Sequence, residues 1–326
     1  MAQKKLRAVS HFATLSILAT LLLIGIFGID IAVADSLNIA APLWVPLGLI
    51  ASLLIAVNSY RARGFSIKTT FAVGLFCGYL AILILLIQPF LTKTGPENST
   101  HENSILKIIS FNLNKNNSSP ATAAQWIIKQ SPDIIVFLES DREAASVTKL
   151  LAPQFPVQCD CRGDGACSTV ILLKSPPIEV EYHGKGDTEN RKALSAVTAK
   201  IRAGDSLLSL TAVHLPRPWP LGEPRKYFNE LVSNTDIFDG RRLLVGDFNN
   251  VPWSFSIQNL AANMQLRLAS GATPTWPVDD VVPSLLALDQ LYAGDCVSII
   301  STRVGPPLGS DHLPVITELR VGSCDD

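Results

Sequence analysis

The feature that most constrains this chain is a nearly charge-free stretch from about Leu15 to Phe90. It holds three apolar runs, roughly Ala13 to Ala34, Ile39 to Asn58 and Thr70 to Leu91. Each is close to the roughly 20 residues that a helix needs to cross a bilayer. Core helices of a soluble protein are a weak alternative at these lengths. The chain has 326 residues, 48% hydrophobic and only 17% charged, and the apolar excess is concentrated in this region. Lys4, Lys5 and Arg7 precede the first run, and Arg61, Arg63 and Lys68 fill the second loop. The first loop has only Asp30 and Asp35 nearby. The positive-inside rule therefore puts the N-terminus and the second loop in the cytoplasm and everything after Lys93 outside it. Lys4 to Arg7, the apolar stretch and Ala32-Val33-Ala34 also fit a signal peptide with a cleavage site. The stretch is longer than a typical signal, which favours an uncleaved helix, and either reading exports the rest of the chain.

Thr94 to Ser104 is polar, with Gly, Pro, Asn and Ser, and reads as a linker. The expected organisation is a membrane domain over 1–94 with about three transmembrane helices, a linker over 95–104, and one large domain over 105–326. Beyond Pro96 lie 20 of the 27 basic and 26 of the 28 acidic residues, a formal charge of about −6. A domain that grips long nucleic acid by its phosphates usually carries a basic excess, so the balance counts mildly against avid, non-specific DNA binding. Of six cysteines, Cys77 lies in the third apolar run, Cys159, Cys161 and Cys167 cluster, and Cys296 and Cys324 stand apart. In an oxidising compartment a short bridge from Cys159 or Cys161 to Cys167 is expected. A zinc site is the alternative, though no His completes the cluster.

Within the large domain, apolar strand-like runs repeatedly end in polar residues of hydrolytic type. Ile105 to Leu113 carries Asn112 and leads to Asn114, and Asp133 to Leu138 ends in Glu139. Leu207 to Val213 delivers His214, with Arg217 just beyond. Leu243 to Val245 runs into Gly246-Asp247-Phe248-Asn249, where Gly246 is expected to break the strand. In an extended segment Asp247 and Asn249 would project to the same side and reach one point. Asp289 sits in a run from Leu286 to Tyr292, and Ser310-Asp311-His312 precedes the last strand. Helices are expected over Ala121 to Gln130, Asp141 to Leu151, Glu223 to Phe238 and Phe255 to Leu268, with further strands near Thr169 to Leu173 and Ala193 to Ile201. Thr273-Pro274-Thr275-Trp276-Pro277 reads as a rigid aromatic loop. Singly, each polar residue suits a turn, a solvated strand end or a satisfied core histidine. Six strand ends of this kind together point to a site. No phosphate-cradling Gly-rich loop, HExxH or GxSxG motif competes.

The order Asn112, Glu139, His214, Gly246-Asp247-Phe248-Asn249, Asp289 and Ser310-Asp311-His312 resembles the endonuclease/exonuclease/phosphatase superfamily, which includes deoxyribonucleases and sphingomyelinases. The resemblance covers about Ile105 to Val321, and Pro252-Trp253-Ser254 and Pro274-Thr275-Trp276-Pro277 are similar to a bacterial membrane-anchored branch. It implies an α/β fold, a deoxyribonuclease-like four-layer arrangement of a two-sheet β-sandwich flanked by helices, here preceded by three transmembrane helices. It implies Mg²⁺ or Mn²⁺ held chiefly by Glu139, with the Asn112 region and Asp311 as further ligands, since hard cations take oxygen donors. Asp247 and Asn249 would orient the attacking water and a phosphate oxygen. His312, aligned by Asp289, would act as general base or as electrostatic partner to the scissile phosphate. His214 would donate to a phosphate oxygen or help the leaving group. Asn114, Trp276 and Arg217 are the candidate substrate contacts. Two positions depart from the family pattern. Gln290 replaces the usual ring after Asp289, and Asn114 stands where many relatives have Asp.

The functional expectation is a membrane-anchored, divalent-metal-dependent phosphoesterase, most simply a phosphodiesterase acting outside the cytoplasm by direct attack of water. Nucleic acid and phospholipid head groups are both open as substrates, with the tether and the acidic balance favouring a lipid or small phosphoester. The lipid bilayer is the expected partner of the N-terminal helices, and no obligate protein partner is evident. A non-catalytic, membrane-tethered sensor or interaction module on the same fold is the alternative from another class.

Overall fold

The computed structural model describes residues 2–91, 104–160, 168–185, 194–217, 229, 231–232 and 241–322. It divides into two compact units, Met1–Leu91 with Trp253–Ser256, and Thr92–Pro252 with Ile257–Asp326. Of the expected linker, only Ser104 is among the described residues, where it opens the first strand.

The N-terminal unit is helical: α1 (Ala2–Phe27), a short α2 (Ala32–Asp35), α3 (Ala41–Arg63) and α4 (Ile67–Ile87). Two stretches, Ala32–Arg63 and Ile67–Phe90, are long and apolar enough to cross a membrane by length and composition. The apolar stretch Ala13–Phe27 of α1 falls short of that length among the described residues, so the expected count of three is not reached on this criterion. Ser66 starts α4 by accepting a hydrogen bond from the Thr69 amide, satisfying one of the donors that a helix start leaves open. Gly48 lets α3 approach Tyr79, because a Cβ there would lie 2.1 Å from the ring. The Tyr79 hydroxyl in turn donates to Leu18 O at 2.9 Å. Asp35, expected as a loop charge, is 1% exposed and accepts hydrogen bonds from the Phe255 and Ser256 amides and the Ser256 hydroxyl. Asn38 accepts at its carbonyl from Trp253 Nε1.

The second unit is built on two six-stranded mixed sheets. In chain order the strands are β1 (Ser104–Asn112), β2 (Ile134–Leu138), β3 (Val157–Asp160), β4 (Val170–Leu173), β5 (Glu179–Lys185) and β6 (Ser195–Ala203). They continue with β7 (Ser206–His214), β8 (Arg242–Asp247), β9 (Arg267–Leu268), β10 (Asp289–Ala293), β11 (Val297–Val304) and β12 (Val315–Val321). One sheet runs β11-β12-β1-β2-β4-β3 and the other β5-β6-β7-β8-β10-β9. Among the described residues the unit also carries helices α5 (Pro120–Gln130), α6 (Ala145–Leu151) and α7 (Phe255–Asn263). This is the two-sheet, helix-flanked α/β fold that the sequence led us to expect.

Side-chain alternation explains why β2 is apolar throughout. Ile134, Val136 and Leu138 enter the core shared by the two sheets, while Ile135 and Phe137 face α5 and α6 on the other side. In β8, Leu243 and Val245 take the shared core and Leu244 packs with Ile257 and Leu260 of α7. Each such side chain, fully buried, contributes about 1.5–3 kcal/mol.

Several expectations need correction. Gly246 does not break its strand; it lies inside β8, paired with both Val213 and Gln290. Its φ is +148°, and an added Cβ would lie 1.9 Å from Val213 O, so glycine is required by close approach of the neighbouring strand. The helix expected to reach Leu268 stops at Asn263, and Arg267–Leu268 pairs as a strand edge on Tyr292 and Ala293. The expected helix from Asp141 opens as a 3-10 turn at Arg142–Ala144. The strand expected over Leu286 to Tyr292 begins at Asp289. Strands β3, β5 and β11 were not foreseen. The helix expected over Glu223 to Phe238 lies almost wholly outside the described residues. Cys159 is a free, buried cysteine and not half of a bridge, while Cys161 and Cys167 lie outside the described residues. Cys296 is disulfide-bonded.

Candidate active site

Topology brings the polar strand ends to one edge. β1 and β2 run parallel, with Asn112 opposite Leu138, so Asn112 and Glu139 leave the first sheet side by side. β7 and β8 are also parallel and put His214 opposite Asp247. β10 is antiparallel to β8, so its first residue, Asp289, pairs with the last residue of β8, Asp247. Because β12 is antiparallel to β1, the turn holding Ser310, Asp311 and His312 arrives at the same edge, where the Ser310 hydroxyl donates to Asn112 O at 2.7 Å.

The centre is a buried relay. His312 Nδ1 lies 2.7 Å from Asp289 Oδ2, and the Thr275 hydroxyl donates to that same oxygen at 2.6 Å. The other Asp289 oxygen, Oδ1, is buried with no hydrogen-bond partner among the described residues. Asp247 Oδ2 accepts from Asn112 Nδ2 at 2.8 Å. It also faces two imidazoles, His214 Nε2 at 3.7 Å and His312 Nε2 at 3.8 Å. Those gaps are too long for direct hydrogen bonds, which leaves both ring edges able to meet a ligand.

A second network lies beside it. Asn114 Nδ2 donates to Asp311 Oδ1 at 2.8 Å, and Trp276 Nε1 donates to Asp311 Oδ2 at 3.3 Å. Glu139 Oε2 accepts from the Lys115 amide at 3.4 Å. Asn114, Glu139 and Asn249 all adopt left-handed backbone, with φ of +54°, +50° and +47°. Asn tolerates this region, but for Glu it costs energy that the surroundings must hold in place. Leu138 O and the Ser140 amide bracket Glu139, bonding Leu113 N and Ser168 O respectively.

The Asn249 geometry corrects the extended reading of its motif. The strand ends at Asp247, whose Oδ1 accepts from the Asn249 amide at 2.7 Å, closing a tight turn. The Asn249 side chain then donates to Leu215 O at 2.8 Å, so the turn and not an extended strand sets its direction. Arg217 is exposed and the structure brings it into none of these contacts. Gln290, the departure from the family pattern, is buried and donates to Asn250 O and Ala287 O. Its role there is to hold the chain after the motif.

The family model for the Endonuclease/Exonuclease/phosphatase family matches residues 109–312, a span that runs from β1 through His312. The chain belongs to this family. An endonuclease/exonuclease/phosphatase family protein from Bacteroides thetaiotaomicron shares the fold at 14% identity and a TM-score of 0.54, covering 68% of this chain and 100% of its own. A family protein from Bacteroides vulgatus does so at 15% identity and a TM-score of 0.54, over 67% and 99%. The D. rerio TDP2 structure, complexed with single-strand DNA product, gives 15% identity and a TM-score of 0.50 over 66% and 99%. No curated protein matches this sequence.

Electrostatics separate the groups at this endonuclease/exonuclease/phosphatase-type edge. Burial works against charge on His312, but Asp289, Asp247 and Asp311 outweigh it and push its pKa up to about 10. Burial pushes Asp289 upward, against the pull of the His312 cation. With no cation bound, His312 is therefore an imidazolium at neutral pH. Enzymes of this family are generally metal-dependent phosphoester hydrolases, and the donor set fits a divalent ion. Asp247 and Asp289 bring carboxylates within 4.8 Å of each other and of His312, one Asp289 oxygen being unpartnered among the described residues, and Glu139 and Asp311 add further carboxylate oxygens at the same edge. Oxygen donors predominate, as a hard cation requires.

Two participants carry no local sequence signal of their own: Thr275 in the rigid aromatic loop and Ser310 in the Ser-Asp-His motif. The Ser310 hydroxyl accepts from the His312 amide at 3.0 Å while bonding Asn112, so it joins the two halves of the edge.

Proposed function

We propose that this protein is a membrane-anchored phosphodiesterase that depends on a divalent metal and acts outside the cytoplasm by direct attack of water. The observation that carries the reading is the buried Asp289–His312 pair facing Asp247 Oδ2. An imidazolium held in that position supplies positive charge where a phosphoryl group gains negative charge. Asp247 then is the better proton acceptor, positioning and polarising the water. Asn249 spends one N–H on Leu215 O and has a second for a phosphate oxygen. His214, 3.7 Å from the same Asp247 oxygen, protonates the leaving oxygen. One P–O ester bond breaks, the water oxygen forms a new one, and the leaving alkoxide takes a proton.

Glu139, Asn112 and Asp311 are the residues that would hold Mg²⁺ or Mn²⁺. When bound, such an ion neutralises charge on the phosphoryl oxygens. Asn114 and Trp276 hold Asp311 and so set its orientation more than they touch substrate. The apolar N-terminal helices and the distribution of Lys and Arg support a multi-pass protein of the cytoplasmic membrane with its catalytic domain exported. A disulfide at Cys296 is in keeping with an oxidising compartment.

The test is turnover of a bis-aryl phosphate, DNA and phospholipid by the detergent-solubilised full chain, with Mg²⁺ or Mn²⁺ and with chelator. Metal-dependent turnover of at least one is expected, and none on the whole panel refutes the reading. A periplasm-active phosphatase fused after Val321 reports the sidedness, and an inactive fusion overturns it.

A further inference from the structure

The chain that leaves the Asp247–Asn249 turn is buried without a break from Asn250 to Ile257, and its middle, Trp253–Ser256, belongs to the helical unit. One carboxylate of that unit takes it up. Asp35 Oδ1 accepts from the Phe255 amide and from Asn38 Nδ2, both at 3.0 Å. Asp35 Oδ2 accepts from the Ser256 amide at 2.8 Å and from the Ser256 hydroxyl. Burying a carboxylate is costly unless donors fill its oxygens, and at 1% exposure Asp35 has both oxygens filled. The two amides are those of the first turn of α7, which a helix start leaves open. A side chain just before the helix could satisfy them equally well. A cap from 220 residues away does more, because it ties the start of α7 to a distant part of the chain.

That part is itself braced. Asn38 is fully buried, donates to Gly25 O at 3.3 Å as well as to Asp35, and accepts at its backbone carbonyl from Trp253 Nε1 at 2.8 Å. A Cβ on Gly28 would lie 2.8 Å from Asn38 Nδ2 and 2.9 Å from Asp35 Cα, so the residue after α1 leaves room for the pair. From this clamp to the site the path is short. Asn250, Val251 and Pro252 alone separate Asn249 from Trp253, the proline fixes its own φ, and Gln290 Nε2 donates to Asn250 O at 2.6 Å. In the other direction, Ile257 and Leu260 of α7 pack with Leu244 of β8, the strand that ends in Asp247. Both routes out of the clamp end at Asp247 and its turn.

We infer that Asp35 is a positioning residue for hydrolysis: it fixes the start of α7 and thereby the Asp247–Asn249 turn against His214 and His312, so that the N-terminal helices serve turnover as well as anchorage. This rests on the hydrolytic reading of that edge and adds to it a residue of the helical unit. A misplacement of about 1 Å at a reacting group costs about 10² in rate, so loss of the clamp should show in kcat and little in KM.

The experiment measures bis-aryl phosphate hydrolysis by the detergent-solubilised full chain at saturating Mn²⁺, in the parent, in Asp35→Ala and in D35C/S256C. Asp35→Ala should lose at least about tenfold in kcat, with KM and Mn²⁺ affinity within about twofold of the parent. D35C/S256C should be equally poor when reduced and regain most of the parent's kcat when oxidised, with the parent under the same reductant as control. Restoration by a covalent tie separates positioning from a general loss of stability, and it can be read even where Asp35→Ala does not fold. Parental kcat in Asp35→Ala, or a D35C/S256C variant indifferent to oxidation, overturns the inference. A second measurement needs no turnover. Hydrogen exchange of the Asn249 amide, which donates to Asp247 Oδ1 at 2.7 Å, should quicken at least about tenfold in Asp35→Ala and in reduced D35C/S256C. Acceleration confined to Phe255 and Ser256 overturns the inference whatever the activity. A parent inactive on every phosphodiester, with the Asn249 amide loosened in the variants, refutes the hydrolytic reading and leaves the clamp on the turn standing.

Discussion

Replacing Asp289 with Asn tests the relay at the point where charge, geometry and catalysis meet. The substitution keeps the shape of the side chain and removes a fully buried carboxylate bonded to His312 at 2.7 Å. The His312 pKa stands at about 10 against an ordinary 6.5, with Asp289 the largest of the groups that raise it. Loss of an opposite charge at this distance should bring it down by about 1–3 pH units, each worth about 1.4 kcal/mol. The sign is fixed by the direction of the shift. A folded-state pKa above the unfolded one contributes stability that is fully present below about pH 6.5 and is lost as pH rises through about 10. In Asp289→Asn the upper limit of that window moves down, and a buried cation that has lost a partner costs about 3–5 kcal/mol. Turnover should fall by about 10²–10⁴, the contribution of a well-placed proton-transfer or charge-stabilising group. The assays are pH titration of the His312 ring carbons by NMR, thermal unfolding across pH, and kcat on a soluble phosphodiester. An unchanged His312 titration, or a variant that keeps its turnover, would show that the pair is structural only.

Other perturbations probe separate links. Glu139→Gln should abolish metal-dependent turnover and weaken Mn²⁺ binding at least tenfold by calorimetry, with the melting temperature of the metal-free protein unchanged; normal Mn²⁺ binding removes Glu139 from the ligand set. Thr275→Val should reduce kcat by about tenfold through the lost hydrogen bond to Asp289, about 1–1.5 kcal/mol. Thr275→Ser should restore it, and a serine variant as poor as the valine one argues against the hydroxyl. Gly246→Ala puts a Cβ 1.9 Å from Val213 O and should cost at least about 3 kcal/mol of stability, read by chemical denaturation; a loss under about 1 kcal/mol contradicts the close approach.

The edge that carries the site was legible because buried strands are punctuated by polar residues, and that contrast survives folding. Asn112, Glu139, His214, Asp247 and Asp289 could be proposed from local pattern alone, since each follows or opens an apolar run. The geometry between them was not legible. Asp247 and Asn249 looked like two residues on one face of an extended strand, but a tight turn closes between them and sends the Asn249 amide to Leu215. Gly246 looked like a breaker because its neighbour in space, Val213, is 33 positions away in the chain, and only the paired strand reveals why a side chain is excluded. Thr275 and Ser310 act through hydrogen bonds across 14 and 198 residues, a kind of information that no local window contains. The short strand pieces β3 and β9 are held by pairing with neighbours and carry little pattern of their own. Asp35 was read as a loop charge because its partners, Phe255 and Ser256, lie 220 and 221 residues away.

The central claim is that one buried edge, with Glu139 and His312 as its metal-holding and charge-stabilising members, hydrolyses a phosphodiester. The most direct measurement is the rate of bis-aryl phosphate hydrolysis by the full chain at neutral pH, titrated with Mg²⁺ and Mn²⁺ and repeated with Glu139→Gln and His312→Ala. The account predicts saturable, chelator-sensitive turnover that falls by at least about 10² in each variant. A rate that ignores chelator, or that persists in both variants, would contradict it.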